Sequence, residues 1–139
     1  MKDLPATQKS LVLRTDFSDS RAWEQICTAI QQPQTEYEFQ ANVECISDSA
    51  FSGLTPEKAV TLSTAAYRTF VFLVDSETIS NPEHPVLVVD LNREPGRTFR
   101  VIPSEMWGVE NNLFLANMDF HEFANAADED GVFRGFPHR

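Results

Sequence analysis

Apolar positions along this chain fall into short continuous runs, separated by stretches where they recur every third or fourth residue. "LVLRT" (Leu11–Thr15), "TFVFLVD" (Thr69–Asp75) and "VLVVDL" (Val86–Leu91) are continuous runs bounded by polar or proline-rich segments. Runs of that kind suit strands covered on both faces. "NVECIS" alternates instead, Val43 and Cys45 against Asn42 and Glu44, and predicts a strand over 42–47. "TFRVIP" (Thr98–Pro103) follows the turn "NREPGR" and predicts the second arm of an antiparallel hairpin.

Between the first two strands, Trp23, Ile26, Cys27 and Ile30 share one helical face. Asp19 or Ser20 can cap that helix and Pro33 stops it, with a polar, acidic loop following. In "LTPEKAVTL", Thr55 as N-cap, Pro56 at the first position and Glu57 in the first turn predict a second helix. Plotted at about 100° per residue, Glu105 to Phe120 shows two apolar stripes. Met106, Val109, Leu113, Ala116 and Phe120 form one; Trp107, Phe114, Leu115 and Met118 form the other. A helix apolar on so much of its surface is expected to be wedged between layers. "DFHE" (Asp119–Glu122) fits a capping box, so a new helix starts at Phe120 and Asn117 takes the left-handed end of the previous one. Asn112 falls on the polar strip. Asn111 lies inside the second stripe, where a stranded amide costs about 1–3 kcal/mol. It is expected to clamp neighbouring backbone, such as the loop after the first strand; ligand contact is the rarer alternative.

These elements predict an α/β fold: a single three-layer domain over 10–139 behind a flexible N-terminus, residues 1–9. Its sheet is mixed and mostly parallel, of about five strands, with a C-terminal β-hairpin and helices on both faces. Trp23, Ile26, Ile30, Phe72, Val88, Leu113 and Phe120 are expected in the core.

Composition narrows the partners. The 139 residues are 42% hydrophobic with eleven phenylalanines, enough for one core. The formal net charge is −10, which argues against nucleic acid. Residues 34–95 hold ten acidic and three basic side chains, a surface suited to a basic protein partner. Oligomeric state stays open, a homodimer included. No apolar run is long enough to cross a bilayer and "MKDLPATQKS" lacks an apolar leader core, so a cytoplasmic protein without membrane contact is expected. Cys27 and Cys45 are too few for a metal site or a disulfide framework and read as buried thiols.

Three predicted strands end in aspartate, at Asp16, Asp75 and Asp90. Carboxylates gathered at the carboxyl ends of parallel strands could hold Mg²⁺. Against that, aspartate commonly caps the turn after a strand. The link from Asp75 to Val86 is also short for a crossover, and an antiparallel strand would send Asp90 to the opposite end. Arg14 ends an apolar strand. It is suited to a carboxylate or phosphate, with an internal pair to Asp16, Asp19 or Glu110 the simpler account. Arg134 in "VFRGF" invites the same two readings, and its aromatic neighbours favour a packed guanidinium. There is no glycine-rich phosphate loop. Aligning "DEDG" with a calcium loop puts Ala126 and Pro137 where carboxylates belong. His84, His121 and His138 lack ligand spacing, His121 reading as an exposed helix residue, and no serine or cysteine has a recognisable base. No catalytic residue, metal ligand or cofactor is assigned. Arg14, Asp16, Asp75, Asn111 and Arg134 remain as ligand or partner candidates.

Together, "VLRTDFSDSRAW", "NVECISDSAFSGLTPE", "FLVD…PEHPVLVVDL", "RTFRVIPSEMWGVENNLFLANMDFHEFA" and "DGVFRGF" resemble a family of small bacterial proteins carrying an uncharacterised domain of unknown function. The resemblance covers nearly all of residues 11–136. It implies a stand-alone bacterial domain and supplies no activity or site. Two functions are weighed. One is a non-catalytic binding protein with an acidic surface, analogous in size and charge alone to immunity proteins that neutralise basic toxins. The other is a Mg-dependent or phosphate-handling enzyme using Asp16, Asp75 and Arg14. Converging carboxylates in a concave pocket would favour the enzyme.

Overall fold

The computed structural model describes residues 3–33, 39–63 and 68–136. Most of the acidic loop (34–38), the first two residues and His138 lie outside the described residues. The strands are β1 (Ser10–Arg14), β2 (Val43–Ile46), β3 (Phe70–Val74), β4 (Val86–Asp90), β5 (Thr98–Val101) and β6 (Val132–Phe133). The helices are α1 (Ser20–Gln31), α2 (Pro56–Leu62), α3 (Ser76–Ser80), α4 (Met106–Phe114) and α5 (Phe120–Ala126).

The sheet order is β2-β1-β3-β4-β5-β6. β1 lies parallel to both β2 and β3, and β5 parallel to β6. β4 is antiparallel to both its neighbours. The expected five strands are therefore six. β6 is only two residues long, too short to leave a periodic signal, and is fixed by pairing Arg100 with Val132 and Val101 with Phe133. β4 and β5 pair antiparallel across "NREPGR" as expected, but β6 covers the far side of β5, so that pair does not end the sheet. Between β3 and β4 there is room only for the short helix α3 and a turn, too little for a parallel crossover.

The continuous apolar runs are explained by two covered faces. Val12, Phe72, Val74, Val88 and Phe99 pack towards Trp23, Ile26 and Ile30 of α1 and the inner residues of α4 and α5. Leu11, Leu13, Val71, Leu73, Leu87 and Val89 face the other way, onto Phe51, Leu54 and the α2 residues Ala59 and Leu62. All seven residues expected in the core are buried. Asp19 caps α1 by accepting from the Ala22 amide at 3.0 Å, and Thr55 caps α2 by accepting from Lys58 at 3.2 Å. Glu122 reaches back to the Asp119 amide at 2.8 Å, which starts α5 at Phe120.

α4 departs from expectation in two ways. It ends at Phe114, and Ala116 rather than Asn117 takes the left-handed conformation, with φ 57°. The Asn117 amide instead closes the helix end by donating to the Asn112 carbonyl at 3.0 Å. Nor is α4 wedged between layers. Met106, Val109 and Leu113 are buried, whereas Phe114 and Leu115 of the second stripe are 55% and 62% exposed.

Glu110 accounts for that choice of face. It is 1% exposed and shares the inner side of α4 with Met106, Val109 and Leu113. One carboxylate oxygen accepts from the Ser10 hydroxyl at 2.7 Å and the other from the Asn42 amide at 2.8 Å. The roll of α4 that brings Glu110 to both donors leaves Phe114 of the second stripe exposed, while Trp107 and Met118 still pack against the edge of the core.

Burial pushes the Glu110 carboxyl upward; the bonds from Asn42 and Ser10 oppose this without reversing it. Folding therefore favours the protonated acid. The stability it contributes is complete below the ordinary glutamate range and is lost as pH rises through the folded value. Glu110→Gln keeps the shape, with an acceptor for Asn42 and a donor for Ser10. Urea melts from about pH 4 to about pH 8 should show the variant gaining on wild type as pH rises. Parallel pH profiles would mean that Glu110 is solvated.

Candidate functional site

β1, β2 and β3 end together at one edge of the sheet, and the 2-1-3 order places a switch point between β1 and β3. Open α/β sheets hold ligands at such points. Here the gap is stitched shut. The amides of Thr15 and Asp16 both donate to the Val74 carbonyl, at 2.9 and 3.4 Å, and the Thr15 hydroxyl donates to it at 3.1 Å.

Arg14, at the end of β1, is 6% exposed. Its Nε donates to the Asp16 carbonyl at 3.2 Å, and its terminal nitrogens donate to the hydroxyls of Ser47 at 3.3 Å and Ser20 at 3.1 Å. The Phe17 and Trp23 rings cover it, their centroids 4.5 and 5.7 Å from the guanidinium carbon. The expected carboxylate pair is not made, because the candidates are engaged elsewhere. The Asp16 carboxylate accepts from the Ser18 amide at 2.8 Å and from its hydroxyl, which hold its pKa below the usual range. Asp19 caps α1, and Glu110 lies with Ser10 and Asn42.

Asp75 is grasped by Arg100, whose terminal nitrogens donate to its two oxygens at 2.9 and 2.7 Å. Arg100 Nε also meets Glu77 at 2.7 Å. Burial raises the Asp75 pKa, but Arg100 and the Thr78 cap more than compensate and leave it lowered. Arg100 carries little sequence signal: it is a lone basic residue within the apolar strand "TFRV". Asp90 sits at the opposite end of the sheet, paired with Phe70 across the antiparallel β3–β4 ladder. There it caps a turn, accepting from Asn92 and Glu94 amides at 2.9 and 3.0 Å. Asp16, Asp75 and Asp90 thus do not converge. Among the described residues no three His, Cys, Asp or Glu side chains are grouped to hold a metal ion.

Arg134, whose aromatic neighbours suggested a packed guanidinium, is held by carboxylates, and among the described residues no ring contact to it is seen. Three carboxylates, Glu83 at 2.8 Å and Asp128 and Asp130 at 2.7 Å each, surround it and brace the end of β6. His121 is exposed, and His84 Nδ1 lies 2.8 Å from the Thr78 carbonyl in a turn. Asn111 is half-buried. Its amide donates to Trp107 of its own helix at 2.6 Å and, at 3.5 Å, to the Gln40 carbonyl before β2, not to the loop after β1.

The concave surface is elsewhere. A groove of about 1140 Å³ opens at the end where the parallel strands begin, between the N-terminal segment and α4. Phe70, Leu113, Phe114 and Ala116 give it an apolar lining, and Lys9 and Arg68 stand on its other wall. Arg68 donates to the Thr7 carbonyl at 3.1 Å and so holds that wall. Beyond the groove lie exposed Leu115, just past the end of α4, and half-buried Trp107, stacked on half-exposed Phe39 with ring centroids 5.1 Å apart.

Residues 9–136 match the family described as "Domain of unknown function (DUF6924)". The chain belongs to this family. No curated protein matches it. The DUF6924 span takes in all six strands, Glu110 and the whole of α4. Among its described residues no helix is long and apolar enough to cross a membrane.

The Asp75–Arg100 pair generates a prediction. Asp75→Asn keeps an oxygen for the α3 cap but leaves Arg100 with the more exposed Glu77 as its carboxylate partner, beside the Pro85 carbonyl at 3.1 Å. The variant should lose about 1.5–3 kcal/mol in urea unfolding, the range for hydrogen bonds to charged groups. A loss below about half a kilocalorie would show that solvent already screens the pair.

Proposed function

We propose that this DUF6924 protein is a non-catalytic binding protein, and that the groove beside α4 receives a segment of a partner protein. The reading takes residues 10–139 as one domain acting in the cytoplasm. The observation that carries it is the separation of the candidate carboxylates Asp16 and Asp75 from the concave surface. The charged candidates at the strand ends are engaged internally, Asp75 by Arg100 and Asp16 by Ser18. The groove and the α4 stripe instead leave Phe114 and Leu115 more than half exposed. Apolar surface concentrated in this way marks interaction sites more than catalytic ones. The formal charge of −10 favours a basic partner, while Lys9 and Arg68 on the groove wall suit an acidic or carbonyl group beside that segment's apolar anchors. A Mg-dependent or phosphate-handling enzyme would need Asp16 and Asp75 free to meet a ligand.

The test substitutes the exposed stripe, which costs the fold little. Tagged wild type and the Phe114→Asp, Leu115→Asp double variant are used to capture partners from cells of the encoding organism. Equal urea midpoints establish that both are folded. The proposal expects a partner that wild type retains and the double variant loses by tenfold or more, roughly 1.4 kcal/mol. Equal retention by both proteins would contradict it.

A further inference from the structure

The groove beside α4 carries a charge opposite to that of the chain. The formal net charge is −10, yet the charged side chains among the described lining residues are Lys9 and Arg68, both basic. Two carboxylates touch lining residues without joining the lining. Glu110 is buried, its oxygens held by the Ser10 hydroxyl and the Asn42 amide, and Glu44 accepts from the Thr7 hydroxyl at 3.1 Å. Arg68 is buried and donates to the Thr7 carbonyl at 3.1 Å, so it holds the wall and adds its charge there. Lys9 is exposed, and among the described residues its ammonium enters no ion pair. The apolar side of the groove is lined by Phe70 and Leu113, both buried, and by Phe114, more than half exposed.

We infer that the partner segment received here carries an aspartate or glutamate beside a large apolar residue, the carboxylate meeting Lys9 and the apolar side chain lying over Phe70 and Leu113. The inference rests on the reading of the groove as a partner site. Size favours a segment of chain over a small molecule: the groove holds about 1140 Å³, more than the roughly 300–1,000 Å³ of small-molecule clefts. Distance separates two electrostatic demands. At physiological salt, exposed charges more than about 8 Å apart are largely screened. The acidic surface as a whole therefore acts on the approach of a basic partner, whereas a docked side chain feels chiefly Lys9 and Arg68. An ammonium on a flexible stem follows a carboxylate without fixing its angle, so aspartate and glutamate both serve. The apolar contact supplies affinity and the cations select the sequence, because a basic residue at the same place would meet two like charges.

The test selects peptides from a random phage-displayed library on the immobilised full chain and measures the strongest as synthetic peptides by fluorescence anisotropy. Peptides lost by the Phe114→Ala, Leu115→Ala double variant, which removes apolar surface without adding charge, report on the groove. They should share an acidic residue next to a large apolar one, and changing that acid to lysine should weaken binding about tenfold or more. Lys9→Glu, with an unchanged urea midpoint, should shift the preference towards the lysine peptide by a similar factor. If its midpoint falls, Lys9→Gln, which removes the charge alone, should narrow the preference instead. Groove-dependent peptides that lack the acid, or whose preference is the same for wild type and the Lys9 variants, overturn the inference and leave the partner groove standing. A library that yields no groove-dependent peptide contradicts both.

Discussion

One buried carboxylate decides how this molecule presents itself. α4 carries apolar side chains on two stripes, and burial alone would be served by turning either towards the sheet. Glu110 removes the tie. Buried without donors it would cost several kilocalories per mole, whereas its two oxygens meet Ser10 at the start of β1 and Asn42 just before β2. The same bonds hold two neighbouring strands and the helix in one frame. With Met106, Val109 and Leu113 committed inward, Phe114 and Leu115 have nowhere to go but solvent. The groove and its exposed rim follow from that roll.

The opposite end of the sheet follows a different logic. Its charged residues close on each other and on backbone: Arg14 on a carbonyl and two hydroxyls, Asp75 on Arg100, Asp16 on Ser18. These contacts leave little unsatisfied polarity to recognise a ligand, and the Thr15 and Asp16 bonds to Val74 shut the gap where one would enter. Charge serves the fold at one end, and exposed apolar surface is offered at the other.

Much of this architecture could be read along the chain. β1, β3 and β4 announce themselves because strands covered on both faces are apolar at every position. Asp19, Thr55 and Glu122 mark helix starts because capping is local chemistry between residues three apart. What escaped is set by distance. Glu110 finds its partners 100 and 68 residues away, and no window of sequence shows why a glutamate should face inward. Arg100 and Asp75 are 25 apart, on different elements. β6 is too short for periodicity. The second α4 stripe was visible, but hydrophobicity records what a side chain is and not whether anything covers it.

The orientation of α4 is the claim on which the groove rests, and hydroxyl-radical footprinting reads it residue by residue. Methionine is among the side chains most easily oxidised, so burial of Met106 makes a sensitive contrast. In the free protein at neutral pH, Phe114 and Leu115 should be modified readily while Met106 on the same helix stays protected until the chain unfolds. Rapid oxidation of Met106 with protection of Phe114 would mean that α4 is rolled the other way, and that neither Glu110 nor the groove has the role given to it.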